Sequence, residues 1–326
     1  PPPPPLFPAE DGIRDSVNGL VGSEMCIRDR SLQYHFNQGH KKKRIIAFNN
    51  AFHGDTFGAM SVSGLSVYNG PFEDFLLTVD RLEVPDENNL AAVLSSFKAI
   101  LDTGEVAAFV YEPLVQGAAA MHMYLPDHLE MLIKLAREAG VLTIADEVMT
   151  GFGKTGKNFA SEYMISQPDM ICLSKSLTAG VAPMALTCCS QKVYDSFYDD
   201  EISKGFFHGH TYSANPLACT AAIAGLDLLR SEEIQSNIKR IHNRHLEFEQ
   251  HIKDHDKVKQ TRVMGVIFAL DLDVKMDRYG KLRDQLYSFF MEKGVFLRPL
   301  GNTIYTLPPY VITDSELDLI YQVMEE

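Results

Sequence analysis

Apolar and polar residues follow one another along most of this chain with two distinct spacings. Residues 89–101 and 128–139 place apolar side chains three and four positions apart, which predicts amphipathic helices. Short uninterrupted apolar runs at 44–48, 106–111 and 141–145 instead predict strands that are buried on both faces. Because strands and helices alternate, we predict an α/β domain with a mostly parallel, doubly wound sheet.

The pattern changes after residue 215. The predicted elements there are two long helices, a strand pair, a third helix, two short strands and a last helix, at 215–229, 232–251, 258–272, 282–293, 295–298, 304–307 and from 313 onward. Thr313 and Glu316 have the spacing of a capping box at the start of the last helix. We therefore predict a large domain over residues 31–228 and a smaller α+β domain over residues 229–326.

Residues 1–30 show neither spacing. The chain opens with five prolines, and residues 9–30 resemble translated sequencing-adapter read-through. We expect this segment to be non-native and disordered, with the true protein beginning before Ser31; a genuine disordered extension is the alternative.

Composition narrows the class of protein. The 326 residues are 45% hydrophobic and 22% charged, with a net charge of −13, which argues against a nucleic-acid-binding surface. No apolar run approaches the roughly 18 residues that a membrane span needs. The five cysteines form no CxxC pair or disulfide framework, so we expect a reduced, cytoplasmic setting and predict no metal site.

Candidate chemistry lies where two predicted strands end. The run 141–145 is followed by Asp146, and the run 170–173 by Ser174 and Lys175. Parallel strands bind ligands at their carboxyl ends, so we expect Asp146 and Lys175 at one edge, with the lysine buried. Desolvation would lower the lysine pKa for Schiff-base chemistry, and the aspartate could pair with a cationic ring nitrogen; pyridoxal 5′-phosphate (PLP) needs both. On these two residues alone, an ordinary strand-end aspartate and a surface lysine remain the alternative.

Further motifs point to a family. They are FHGD from Phe52, EP at Glu112, DEV from Asp146, the glycine-rich loop 151–156, SK at Ser174, HGHTY from His208, NPLA from Asn215 and LRP from Leu297. With these motifs the chain resembles the class III, fold-type I PLP-dependent aminotransferases, from about residue 31 to residue 326. The resemblance implies a homodimeric transaminase with PLP as its cofactor.

The resemblance also implies roles at the cofactor ring. Lys175 would bind PLP as a Schiff base and act as the catalytic base. Asp146 would keep the pyridine nitrogen protonated. Val148 and Phe52 would cover the two ring faces, and Phe52 would also border the substrate. His53 is expected to be structural.

Other residues are expected at the phosphate and the substrate. Thr211 would bind the cofactor phosphate from the partner subunit, and Gly209 and His210 would line the same edge, with Gly209 also near the substrate. Arg298 would hold the substrate carboxylate, and Tyr305 would line that pocket. The loop 151–156 is expected on the substrate side, with Lys154 where the family usually has arginine. The family's glycine–serine phosphate-binding turn would fall just before Leu32, within the segment that does not match.

Within the class, the chain is most similar to the branch that serves biotin biosynthesis. Residues 53–62 match that branch, the spacing from Glu112 to Gly117 is one residue longer than elsewhere, and Met149 replaces a common glutamine. This implies transfer of an amino group from S-adenosylmethionine, or from lysine in some relatives, to 8-amino-7-oxononanoate. Another ω-amino-acid aminotransferase, of the ornithine, acetylornithine or 4-aminobutyrate type, and an inactive truncated fragment remain open.

Overall fold

The computed structural model describes residues 13–16, 23–64, 69–209, 211–275 and 280–326. These residues form two compact units. The first takes in the chain up to Ala119 together with Tyr124–Gly151 and Ser161–Leu226; the second takes in Ala120–Met123, Phe152–Ala160 and Asp227–Glu326. Two short segments that the sequence analysis assigned to the large domain therefore belong to the second unit, while the boundary at 228/229 stays a prediction.

The bounds of the regular elements are as follows. The strands are β1 (Ile13–Ser16), β2 (Arg44–Phe48), β3 (Val79–Leu82), β4 (Val106–Tyr111), β5 (Val115–Gln116), β6 (His122–Met123), β7 (Leu142–Asp146), β8 (Met170–Leu173), β9 (Leu186–Ser190), β10 (Val258–Met264), β11 (Ile267–Leu272) and β12 (Thr303–Thr306). The helices are α1 (Ser23–Asn37), α2 (Phe57–Val62), α3 (Leu90–Leu101), α4 (Pro126–Glu138), α5 (Gln191–Asp195), α6 (Pro216–Arg230), α7 (Glu232–Ile252), α8 (Lys281–Glu292) and α9 (Asp314–Glu325).

The first unit is built on a mostly parallel sheet, as predicted. Its strand order is β1-β9-β8-β7-β4-β2-β3. The pairs β3–β2, β2–β4, β4–β7 and β7–β8 are parallel, whereas β9 is antiparallel to β8. In the β7–β8 ladder Asp146 pairs with Cys172, so the two strands end at the same edge.

Burial explains why the apolar runs become strands. Every residue of β4, β7 and β8 is buried. Such strands need helices on both faces, which matches their continuous apolar sequence. In α4, Leu129, Leu132 and Ile133 are fully buried, each contributing about 1.5–3 kcal/mol of burial free energy.

The second unit contains an antiparallel sheet of order β10-β11-β12. Helix α7 contributes His245, which is fully buried; its Nε2 lies 3.1 Å from the carbonyl oxygen of Val266 and its Nδ1 2.7 Å from the hydroxyl of Tyr321 in α9. Helix α9 begins with the predicted capping box, in which Thr313 and Glu316 exchange side-chain and backbone hydrogen bonds.

Residues 1–30 differ in part from the expected disorder. Residues 13–16 form β1, which pairs antiparallel with β9, and α1 starts at Ser23. An exposed strand edge offers backbone partners to any extended segment, so pairing does not require a side-chain period. The segments 1–12 and 17–22 lie outside the described residues.

The predicted strand at 295–298 is wrong. Val295 and Leu297 are buried while Phe296 and Arg298 are exposed, which is the alternation of an extended chain. In the part of the chain that the structure describes, however, these four residues join no ladder; the nearest pairing is an isolated bridge between Leu300 and Thr303. Within the described ranges no helix combines the length and apolar character that crossing a membrane requires.

Candidate active site

Asp146 ends β7 with its carboxylate held from two sides. The residue is 5% exposed. Oδ1 accepts a hydrogen bond of 3.1 Å from the backbone N–H of Val148, and Oδ2 lies 2.7 Å from Nδ1 of His53. Since a carboxylate oxygen accepts, we assign Nδ1 of His53 as the donor. Asp146 is thus a buried, oriented carboxylate of the kind that can accept a hydrogen bond from a cationic ring nitrogen.

His53 makes a contact that sequence reasoning did not identify. Its buried ring lies against the carboxylate of Asp146, and its expected structural role stays a prediction. The two residues are 93 positions apart, so no local pattern reveals their contact. The only signal in the sequence is the FHGD motif itself.

The segment before α2 is fixed through its backbone. The N–H of Phe52 donates to Oε1 of Glu112 at 3.0 Å, and the N–H of His53 donates to Oγ of Ser63 at 2.9 Å. Phe52 is 38% exposed, which leaves it able to contact a ligand. Phe52 is therefore held in position without being enclosed.

Lys175 follows β8 immediately and opens the 3-10 turn Lys175–Thr178. Its side chain is exposed, which corrects the expectation of a buried lysine. The chain leaves the sheet at this point, so flanking strands no longer cover the side chain. The backbone has φ +44°, a left-handed conformation that is uncommon for a residue with a side chain and is often found at functional sites.

Asp146 and Lys175 lie at the carboxyl edge of adjacent strands. Asp146 pairs with Cys172, three residues before Lys175. Val148 is half-buried and packs in part against the core. The set fits PLP chemically, because it combines a lysine amine, an oriented carboxylate and the apolar side chains of Phe52 and Val148.

Glu147 ties together the chain on both sides of the glycine-rich loop. It is fully buried. Oε2 accepts from the hydroxyl of Thr150 at 2.6 Å, and Oε1 accepts from the N–H and hydroxyl of Ser161 at 2.6 and 2.7 Å. The positions where the chain leaves and re-enters the first unit are thus anchored to one carboxylate.

The loop itself belongs mainly to the second unit. Lys154 Nζ lies 4.5 Å from the centre of the Tyr310 ring, and burial lowers the pKa of Lys154. The hydroxyl of Tyr310 donates to the carbonyl of Phe152 at 2.5 Å. A Cβ added at Gly265 would lie 2.2 Å from the backbone of Thr155, so this glycine is required for the loop to approach. The expected role at the substrate stays a prediction.

The candidate phosphate-binding segment precedes α6. Thr211 and Gly209 are both exposed, while His210 lies outside the described residues. Asn215 caps α6, because its Oδ1 accepts a hydrogen bond of 2.9 Å from the N–H of Ala218. An exposed Thr211 has its hydroxyl available to a ligand.

The candidate substrate residues Arg298 and Tyr305 belong to the second unit, whereas Asp146 and Lys175 belong to the first. Arg298 is exposed and lies between α8 and β12. Tyr305 is half-buried in β12 and pairs with Ala269 of β11. Their proposed roles at the substrate remain predictions.

Comparisons with known proteins identify the family of the chain. The sequence profile described as aminotransferase class-III matches residues 9–326, and so includes most of the segment that was expected to lie outside the resemblance. The adenosylmethionine-8-amino-7-oxononanoate aminotransferase of Synechococcus elongatus is 42% identical over 322 residues, covering 95% of this chain and 75% of the relative. The enzyme of that name from Helicobacter pylori is 34% identical over 310 residues, covering 92% and 70%.

Solved structures of aminotransferases also resemble this chain. The adenosylmethionine-8-amino-7-oxononanoate aminotransferase of Methanocaldococcus jannaschii has a TM-score of 0.86 at 30% identity, covering 96% of this chain and 75% of that one. A PLP-bound amine transaminase from an uncultivated Pseudomonas species has a TM-score of 0.88 at 28% identity, covering 97% and 77%. The cofactor is pyridoxal phosphate, the fold is that of the fold-type I transaminases, and the chain belongs to the class-III aminotransferase family.

Proposed function

We propose that this chain transfers an amino group from S-adenosylmethionine to 8-amino-7-oxononanoate, giving 7,8-diaminononanoate in biotin biosynthesis. The observation that carries the proposal is the 42% identity, over 95% of the chain, to a relative named for these two substrates. The oriented Asp146 and the neighbouring Lys175 supply the groups that transamination needs.

Each residue has a physical role in this proposal. When bound, PLP supplies an electron sink for the charge that develops on the substrate carbon. Asp146 accepts a hydrogen bond from the ring nitrogen and keeps it protonated, while His53 holds the carboxylate in place. Lys175 binds the cofactor through Nζ and then moves a proton at the same atom. Phe52 and Val148 exclude water from the ring faces.

The remaining roles concern the phosphate, the substrate and the assembly. Thr211, with Gly209 and His210, binds the cofactor phosphate across the interface of a homodimer. Arg298 binds a substrate carboxylate through its two-pronged guanidinium group, and Tyr305 lines that pocket. We place the enzyme in the cytoplasm, and we keep residues 31–228 and 229–326 as its domains.

Two sequence features that favour the biotin branch over other ω-amino-acid aminotransferases lie close together. A Cβ built on Gly117 would lie 3.1 Å from Cε of Met149. The two sequence features that distinguish the branch, the longer spacing to Gly117 and the methionine at 149, therefore meet in the first unit. A change at one position constrains the other.

The test is a transamination assay. The purified protein is incubated with PLP, 8-amino-7-oxononanoate and either S-adenosylmethionine or lysine, and 7,8-diaminononanoate is measured. We expect product with S-adenosylmethionine; product with lysine alone would reassign the donor. If ornithine or 4-aminobutyrate is turned over and no diaminononanoate forms, the chain is instead an ω-amino-acid aminotransferase of the ornithine or 4-aminobutyrate type.

A further inference from the structure

Glu112, which directly follows β4, has a buried carboxylate shared between two distant backbone segments. The residue is 5% exposed. Oε1 accepts the N–H of Phe52 at 3.0 Å, and Oε2 accepts the N–H of Gly117 at 3.0 Å. The hydroxyl of Tyr124 donates to the Glu112 carbonyl at 2.5 Å, which fixes the backbone of the glutamate as well. The carboxylate therefore joins the segment before α2 to the loop after β4.

One of those segments also orients Asp146. Phe52 is held by Glu112, and the adjacent His53 is held by Ser63 through its N–H and by Asp146 through its ring. These three hydrogen bonds restrain consecutive residues. A shift of Phe52 away from Glu112 would therefore move the His53 ring relative to the carboxylate of Asp146.

The groups around Glu112 stabilise its negative charge less than burial destabilises it. Burial raises the pKa of Glu112 to about 7; His53 acts in the opposite direction, Asp146 raises the pKa further, and the N–H groups of Phe52 and Gly117 lower it. The Met149 side chain lies over Gly117 and adds no charge there. The carboxyl group thus changes protonation close to neutral pH.

A second buried glutamate in the same unit behaves differently. Glu130 also accepts two backbone N–H groups, those of Ile165 and Ser166, each at 3.0 Å. Burial raises its pKa, but hydrogen bonds from Ser166 and the neighbouring Lys134 outweigh that effect, so the pKa lies below its usual value. Two backbone donors alone therefore do not make a glutamate titrate near neutrality. Glu130 serves as a matched control because it does not contact Phe52 or Gly117.

We propose that Glu112 is a positioning residue, whose ionised carboxylate holds the Phe52–His53 segment and through His53 sets the orientation of Asp146. The consequence for catalysis rests on the proposed function, since it assumes that Phe52 and Asp146 face the cofactor. The ionised group accepts both N–H groups as charge-assisted hydrogen bonds. Protonation converts one oxygen into a hydroxyl, a poorer acceptor, so the hold on Phe52 or Gly117 weakens at acid pH.

The first test is amide hydrogen exchange in the full chain, read at single residues. In Glu112→Gln we expect exchange at Phe52 and Gly117 to accelerate about tenfold or more, because the amide replaces one acceptor oxygen with a donor. In Glu130→Gln the acceleration should appear at Ile165 and Ser166 instead. Unchanged exchange at Phe52 and Gly117 in Glu112→Gln would overturn the proposal.

The second test needs no variant. In the wild-type chain, protection of the Phe52 and Gly117 amides, corrected for intrinsic exchange rates, should be greater at roughly pH 8 than at roughly pH 6, on either side of the Glu112 pKa of about 7. Protection at Ile165 and Ser166 should stay constant over that interval. Equal changes at all four amides would contradict a specific role of Glu112.

Turnover separates positioning from simple loss of structure. Glu112→Gln should lower kcat more than it raises KM and should flatten the pH dependence of kcat near neutrality, while Glu130→Gln retains the wild-type profile. A wild-type profile in Glu112→Gln would count against the proposal. Since hydrogen exchange requires no substrate, an error in the assigned substrates would leave the exchange results intact.

Discussion

Nδ1 of His53 lies 2.7 Å from Oδ2 of Asp146, and the two side chains are 1% and 5% exposed. The hydrogen bond connects the segment before α2 to the carboxyl end of β7. A buried carboxylate that loses a partner pays a desolvation cost that an exposed one does not. Loss of the histidine would therefore leave the Asp146 carboxylate buried without this donor.

Replacing His53 tests this relationship. In His53→Leu the carboxylate of Asp146 loses a buried donor, worth about 1–3 kcal/mol, so we expect kcat/KM to fall roughly 5- to 150-fold. His53→Asn keeps a side-chain N–H near the position of Nδ1 and should recover part of the loss. Steady-state kinetics and PLP affinity measure both effects. Equal activity in the leucine and asparagine variants would show that the hydrogen bond is not what matters.

Lys175 is expected to be indispensable. Lys175→Ala should abolish the borohydride-sensitive visible absorbance of the PLP-bound protein and reduce turnover by about 10²–10⁴-fold or more, because both the covalent attachment and the proton transfer depend on Nζ. Lys98→Ala, at an exposed position of α3, is the matched control and should change neither. A retained, reducible band in Lys175→Ala would assign the attachment to another lysine.

His245 should make the second unit sensitive to acid. Burial lowers the pKa of this histidine to about 4 from 6.5, while the Val266 carbonyl partly opposes the effect. Between those values the unfolded chain binds a proton that the folded chain does not, so stability falls as pH drops from 6.5 toward 4, by about 3 kcal/mol in total.

Denaturant unfolding at several pH values measures this loss. His245→Gln cannot titrate, so its free energy of unfolding should depend less on pH in that window, whatever its absolute stability. Lys98→Ala, at an exposed position of α3, leaves all histidines in place and should keep the wild-type slope. The same slope in all three proteins would mean that other groups cause the acid sensitivity.

Gly265 and Gly294 form a matched pair for the glycine-rich loop. Both have positive φ, +56° and +77°. A Cβ at Gly265 would lie 2.2 Å from the backbone of Thr155 and Gly156, whereas one at Gly294 would meet nothing within 4 Å. Gly294→Ala should cost only the left-handed conformation, about 1–2 kcal/mol. Gly265→Ala should cost clearly more and displace the loop, as thermal unfolding and a crystal structure would show; similar costs at both sites would rule out the steric argument.

The spacing of apolar residues along the chain predicted the buried helices and strands of the first unit. The spacing of apolar residues in α4 and the continuous apolar runs of β4, β7 and β8 translate directly into burial, so these elements formed close to where they were expected. The alternation at 295–298 was also real, but a strand requires a partner, and partners are chosen by the tertiary fold.

The site was predicted only in part for the same reason. Asp146 was singled out because it ends an apolar run. Its partner His53 lies 93 positions away in the chain. Glu112, the partner of Phe52, lies 60 positions away from it. The exposure of Lys175 depends on where the chain leaves the sheet after β8, which the sequence of β8 does not specify.

The chain passes between its two units five times, after Ala119, Met123, Gly151, Ala160 and Leu226. The second unit is therefore not one continuous stretch of the sequence. A recombination break near residue 227 would separate β10 and β11 from residues 152–160, whose backbone occupies the space beside Gly265. Chimeras between relatives should preserve function only when all three segments of the second unit come from the same parent.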